Sequence, residues 1–460
     1  MKNQPLTAKT MPKAVAAALA AQPVVDMHTH VYSPGFGTPV ANAGGAGGTD
    51  PRGLLLWGVD EVLTYHYLVA EVFRVVPATK LPYEQFWKMP KTAQADHIWQ
   101  HLFVERSPVS EACRGVLTTL HRLGLDPGKS GLQKVRKWFA SQTPDQYIDK
   151  VMDVANIQKI TMTNNVFDDN ERERWLREPQ KLIDPRFSPV LRFDTLLCDW
   201  PTAAQKLNAW GYKVTAPIAV APGGSPGLEG SRCALDTQTK SEIQRFLRDW
   251  IDRTQAIYCA VSLPPEFAFP PLSAHTHTAQ AGADILTQCV LPVLADRGLA
   301  FAMMIGCSRG ANPALGDAGD MVGKANVQAV VALCRQFPQN KFLITMLARE
   351  NQHELAVAAR KFGNLMLFGC WWFLNNPSLI EELTRMRMEL LGTSFVPQHS
   401  DARVLDQLIY KWEHSRKIIS KVLTDKYTDL LATGWKITPQ QIKRDAHLLL
   451  QGNFEEFVSR

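Results

Sequence analysis

VVDMHTH, residues Val24 to His30, places two histidines one residue apart at the end of an apolar run. On an extended strand residues i and i+2 face the same side, so His28 and His30 point together. The rest of the chain repeats the apolar pattern. Short apolar segments recur at KITMTN (Lys159 to Asn164), FSPVLRF (Phe187 to Phe193), AIYCAVSLP (Ala256 to Pro264), LAFAMMIGC (Leu299 to Cys307), KFLITML (Lys341 to Leu347), LMLFGCWWF (Leu365 to Phe373) and SFVPQHS (Ser394 to Ser400). Helical patterns such as SEIQRFLRDWIDRTQ, VQAVVALCRQFPQ and SLIEELTRMRMELLG separate them. Strands buried on both faces lose the period-two alternation, so this succession predicts a parallel sheet covered by helices. With VVDMHTH first, the eight strands predict an α/β chain folded as a (β/α)8 TIM barrel. The active site of such a barrel lies at the C-terminal ends of its strands, where HTH, CSRGAN, CWWF and HSDAR all fall. An open doubly wound sheet ranks behind it, because no GxGxxG turn follows the first strand.

The remainder of the chain fits one barrel domain over residues 1–460. A glycine-rich loop from Ser33 to Gly53 follows the first strand, and helical periodicity then runs through a helical insertion over about residues 54–145. The alanine-rich start is weakly hydrophobic and reads as an N-terminal helix rather than a signal peptide.

Composition narrows the function classes. A net charge of +6 over 460 residues, with the basic side chains scattered, argues against nucleic acid as a partner. No run of 18 apolar residues occurs, which argues against a membrane-spanning helix. The eight cysteines form no CxxC pair and read as reduced, buried thiols of a cytoplasmic protein.

The strand ends carry the candidate chemistry. His28 and His30 share an ion if a third ligand joins them; otherwise they are two hydrogen-bonded loop histidines. Asp401, in QHSDARVL, is a candidate third ligand or base, because the last strand of a closed barrel lies beside the first. Equally, Ser400 or Asp401 reads as the N-cap of a helix from Arg403. Arg309 and Arg403 suit a substrate carboxylate through paired hydrogen bonds, or a neighbouring loop through an ion pair. Trp371 and Trp372 read either as core or as a stacking face for a sugar. His66, between Tyr65 and Tyr67 on a helix, moves protons or packs.

Taken in order, DMHTH, YHYLVAEVFR, FWKMPKT, LRFD around Arg192, MMIGCSRGANPALGDAGD, FGCWWFLNN and HSDARVLDQLIYKWEHSRKII resemble uronate isomerases, the glucuronate/galacturonate isomerase family of the amidohydrolase superfamily. The resemblance implies an amidohydrolase-type barrel and an aldose–ketose isomerase acting on hexuronates. Such an enzyme converts D-glucuronate to D-fructuronate, or D-galacturonate to D-tagaturonate, by proton transfer between C2 and C1. It implies a divalent metal, zinc in the first place, at His28, His30 and Asp401, with Asp401 and His66 catalytic. Arg192, Arg309, Trp371, Trp372 and Arg403 would bind the acidic sugar, and a homo-oligomer is expected. Three strand ends depart from the family pattern. Met304 stands where a histidine is usual, and a thioether is a poor ligand for such an ion. Asn164 and Asn165 replace paired aspartates, and CAVSLP lacks an aspartate–histidine pair. These departures leave two alternatives to a working isomerase: a hydrolase, lyase or epimerase on another acidic sugar, or an inactive sugar-acid-binding relative.

Overall fold

The structure is a computed structural model, and it describes residues 5–39, 50–128, 131–215, 235–271 and 277–460. Much of the glycine-rich loop (40–49) and Cys233 lie outside the described residues.

Seven strands form one parallel sheet in sequence order: β1 (Val24–Thr29), β2 (Ile157–Asn165), β3 (Phe187–Arg192), β4 (Tyr258–Leu263), β5 (Ala300–Ile305), β6 (Lys341–Met346) and β7 (Leu365–Leu367). Every residue of β1, β4 and β5 is buried. This is the two-faced burial that the apolar runs predict. Helices connect the strands, including Thr237–Thr254 before β4 and Pro377–Leu391 after β7.

The expected eighth strand takes another form. Phe368 pairs in parallel with Val396, and the Gly369 N–H donates to the Val396 carbonyl at 2.8 Å. Five residues later the chain reaches the opposite edge. There the Asp401 N–H donates to the His28 carbonyl at 3.1 Å and the His30 N–H donates to the Ala402 carbonyl at 2.7 Å. Residues 395–402 thus bridge β7 and β1 without forming a regular ladder. Pro397 has no N–H to give, and Asp401 sits in the left-handed region at φ 52°. The predicted strand from Leu365 to Phe373 is also too long. Gly369, at φ 64°, ends it, and Trp372–Leu374 form a 3-10 turn. Nor does a helix start at Arg403: the long helix Gln407–Ala432 begins at Gln407, and its Asp406 cap position makes no side-chain capping bond.

Between β1 and β2 the chain is mainly helical from Val59 to Ala155. Polar contacts tie the helices of this region to one another and to the segment before the helix Gln407–Ala432. Arg136 donates to Asp60 at 2.7 Å and to Asp96 at 2.7 Å, joining three helices. Asp406 accepts from the Gly58 N–H at 2.8 Å and from the Tyr147 hydroxyl at 2.5 Å, and burial pushes its carboxyl up to about 6.

Gly369 gives the first prediction. A Cβ there would lie 1.7 Å from His399 Nδ1, on a backbone that already requires a positive φ. At Gly124, with φ 76°, an added Cβ would meet nothing within 4 Å. Gly369→Ala is therefore expected to lower unfolding free energy by about 2–4 kcal/mol, and Gly124→Ala by about 1–2 kcal/mol. Denaturant melts of the two variants check the difference.

Candidate active site

His28 is fully buried at the end of β1, and neither of its ring nitrogens has a hydrogen-bond partner. Its Nε2 lies 3.6 Å from Asp401 Oδ1, too far for a hydrogen bond, and His30 Nε2 lies 3.4 Å from the same oxygen. That oxygen is also buried without a partner. One ligand atom from each of the three side chains falls within 4.8 Å of the others. Burial holds both histidines below the usual imidazole range, His28 far below it. Neutral rings keep a lone pair for a metal. Burial alone would raise the Asp401 carboxyl, but His30, His28 and His399 outweigh it and hold it well below the usual carboxylate range. At His30, Nδ1 meets the Thr163 hydroxyl at 2.9 Å, and that hydroxyl also donates to the Thr29 carbonyl. With its proton so used, the hydroxyl accepts from Nδ1–H and leaves the Nε2 lone pair facing Asp401. Two neutral nitrogens and one carboxylate, converging and unsatisfied, fit a single divalent cation.

A cavity of about 540 Å³ opens over this cluster. It is lined by His30, Asp401, His66, Arg192, Arg309, Arg403, Trp371 and Trp372, so every predicted site residue except the buried His28 borders it. Met304 also borders it, in register with Ser262 of β4 and Thr345 of β6.

All three arginines are already paired. Arg192 Nε lies 3.0 Å from both oxygens of Asp194, which in turn accepts from the Ser262 N–H at 2.9 Å. Arg309 pairs with Asp320, and Arg403 Nη1 lies 3.0 Å from Asp317 Oδ2. Both partners of the Arg403–Asp317 pair are exposed, where such contacts contribute little, whereas Asp320 is buried beside a half-exposed Arg309. Trp371 and Trp372 are both buried, and Trp372 stacks on His66 at 5.3 Å between ring centres. His66 Nε2 and Trp372 Nε1 are nonetheless left without partners, and burial takes the His66 pKa down to about 3. Packing and polar roles thus coincide in one pair.

Some residues in and around the cavity escape the sequence reading. Asp317, which lines the cavity, and Asp320 fall in and just after the 3-10 segment Pro313–Gly319, which shows no periodicity, though GDAGD marks it as acidic. Glu171 is fully buried behind β2, where it accepts from Asn164 Nδ2 (2.7 Å), the Asn165 N–H (2.9 Å) and the cavity-lining Tyr32 hydroxyl (2.9 Å). Asn164 and Asn165 thus hold a carboxyl group, which burial pushes up to about 7. Seven described cysteines are free thiols; Cys198 is exposed and the other six are buried. Among the described residues no helix is long and apolar enough to cross a membrane.

No family model matches the chain, and no curated protein matches it either. Solved structures do. A uronate isomerase from Bacillus halodurans C-125 is 50% identical, with 99% of this chain and 98% of that chain covered and a TM-score of 0.88. A uronate isomerase from Thermotoga maritima (13% identity, 99% and 98% covered, TM-score 0.68) and a glucuronate isomerase from Caulobacter crescentus (15%, 98% and 94%, TM-score 0.63) share the fold. With half of its residues identical to those of a uronate isomerase along almost its entire length, the chain belongs to the uronate isomerase family.

Proposed function

We propose that this protein isomerises a hexuronate, D-glucuronate or D-galacturonate, to the corresponding ketose. The observation that carries the reading is the convergence of His28, His30 and Asp401 beneath a cavity rimmed by arginines. Family membership favours isomerisation over hydrolysis, elimination or epimerisation, and the intact ligand cluster speaks against an inactive binder. On the same reading the sheet closes through residues 395–402 into a (β/α)8 barrel. Residues 1–460 are then one domain, with about 54–145 as a helical insertion. A cytoplasmic location fits the free thiols.

His28, His30 and Asp401 would hold a divalent cation, zinc by preference for two imidazoles and a carboxylate. When bound, such an ion supplies Lewis-acid polarisation of sugar oxygens. Met304 leaves the ligand set at these three side chains. In the open-chain aldose a base takes the C2 proton as the C1 carbonyl oxygen gains one, giving an enediol. Loss of the O2 proton and return of a proton to C1 complete the ketose. Asp401 is assigned the carbon-bound proton, since it is ionised and keeps a second carboxylate oxygen besides the Oδ1 that faces the two histidines. His66, kept neutral by burial, is assigned to the oxygens. Arg403, Arg309 and Arg192 orient the substrate carboxylate, and Trp371 and Trp372 cover its C–H face.

Incubation with each hexuronate in deuterium oxide should yield ketose carrying solvent deuterium when transfer passes through a base that exchanges. Turnover of neither sugar, or conversion to anything but the ketose, contradicts the proposal. Asp401→Asn should lower kcat by about 10²–10⁴-fold, measured on protein with an unchanged melting temperature; retained turnover removes Asp401 from its role. Asp317→Asn frees Arg403 for the substrate carboxylate, so KM should fall by about 1.5–5-fold, the equivalent of an exposed ion pair. A higher KM would mean that Asp317 holds Arg403 in place rather than competing for it.

A further inference from the structure

Lys411 is a buried cation that the reaction as drawn does not use. It lies in the first turns of the helix Gln407–Ala432, with only 3% of its surface exposed. Its Nζ donates to the Ser400 carbonyl at 2.6 Å, and the charge sits 5.7 Å from the centre of the Tyr67 ring. Among the described residues no carboxylate forms an ion pair with it. The charged groups around it are Asp401, Asp26 and Glu111. A buried ammonium without a contacting carboxylate is costly, so its placement asks for a reason.

The backbone of Ser400 supplies one. Its N–H donates to Asp26 Oδ1 at 3.1 Å, and Asp26 Oδ2 accepts from Trp412 Nε1 at 2.7 Å. Asn375 Nδ2 adds a second donor to the Ser400 carbonyl at 3.2 Å. The residue immediately before Asp401 is thus held at its N–H and its carbonyl by buried groups of opposite charge, both anchored by consecutive residues, Lys411 and Trp412. What they hold is a strained point, because Asp401 has a positive φ without being glycine. Through Tyr67 the same ammonium also touches the helix that carries His66.

We propose that Lys411 is a positioning residue for the isomerisation. Its ammonium clamps the Ser400 carbonyl, fixes Asp401 in its left-handed conformation, and keeps the His66 helix in register with it. The inference rests on the proton-transfer role given to Asp401. The two fail differently: retained activity in Asp401→Asn removes that role, whereas retained activity in Lys411 variants beside a dead Asp401→Asn removes only this one.

The test compares Lys411→Met, which keeps volume and removes the charge, with Lys411→Arg, which keeps a donor cation. For Lys411→Met the expected result is a kcat about 10–100-fold lower, as for a catalytic group displaced by a fraction of an ångström. KM should stay within about threefold, since no substrate contact is removed. Lys411→Arg should recover at least part of the loss. Far-ultraviolet circular dichroism and melting curves accompany both. A kcat for Lys411→Met within about twofold of the parent overturns the proposal. So does a loss that appears in KM rather than kcat, or one that is the same for Met and Arg. Failure of both variants to fold would also overturn it, by making Lys411 a folding residue.

Discussion

Two backbone hydrogen bonds, from Asp401 to His28 and from His30 to Ala402, join the last strand-end segment to the first strand. They connect opposite ends of the sequence, and everything at the site depends on that seam. Without it Asp401 has no reason to lie beside the two histidines. The seam is irregular for the same reason that it is useful. Proline and a left-handed aspartate prevent a regular ladder, and the break turns the Asp401 carboxylate onto the ring nitrogens rather than along the sheet.

Burial then sets the electrostatics. Histidines in contact with water would carry part of their charge near neutrality; here desolvation keeps His28, His30, His66 and His399 neutral. Asp401 moves the other way because the rings around it favour its charge over its burial. The result is an ionised carboxylate among neutral nitrogen donors, a combination suited to a cation and to proton transfer. Farther out, the cavity arginines are held by Asp194, Asp320 and Asp317. The buried Asp26, Ser400 and Lys411 contacts fix the turn from behind.

Much of this was legible in the sequence because it depends on period and order. Apolar runs gave the strands, the period-two spacing made His28 and His30 one unit, and the resemblance to uronate isomerases paired them with Asp401. What stayed hidden depends on conformation or on distant partners. Gly369 looked like an ordinary strand residue, yet its left-handed backbone ends β7 and turns Trp371 and Trp372 into a packed cover. Asp401 and Ser400 looked like a helix cap, but Gln407 begins the helix. The pairing of Arg403 with Asp317 and of Glu171 with two asparagines joins segments whose separation carries no periodic signal. Met304 was legible as a departure that leaves the cluster with His28, His30 and Asp401.

On the proposed reading, His28, His30 and Asp401 hold one divalent cation at the seam. Metal content per chain, measured by elemental analysis on protein prepared without chelator and on a folded His28→Ala/His30→Ala variant, tests it most directly. About one equivalent of a divalent ion is expected in the parent, and its loss in the variant. Less than about a tenth of an equivalent in the parent, or equal amounts in the two proteins, would contradict it.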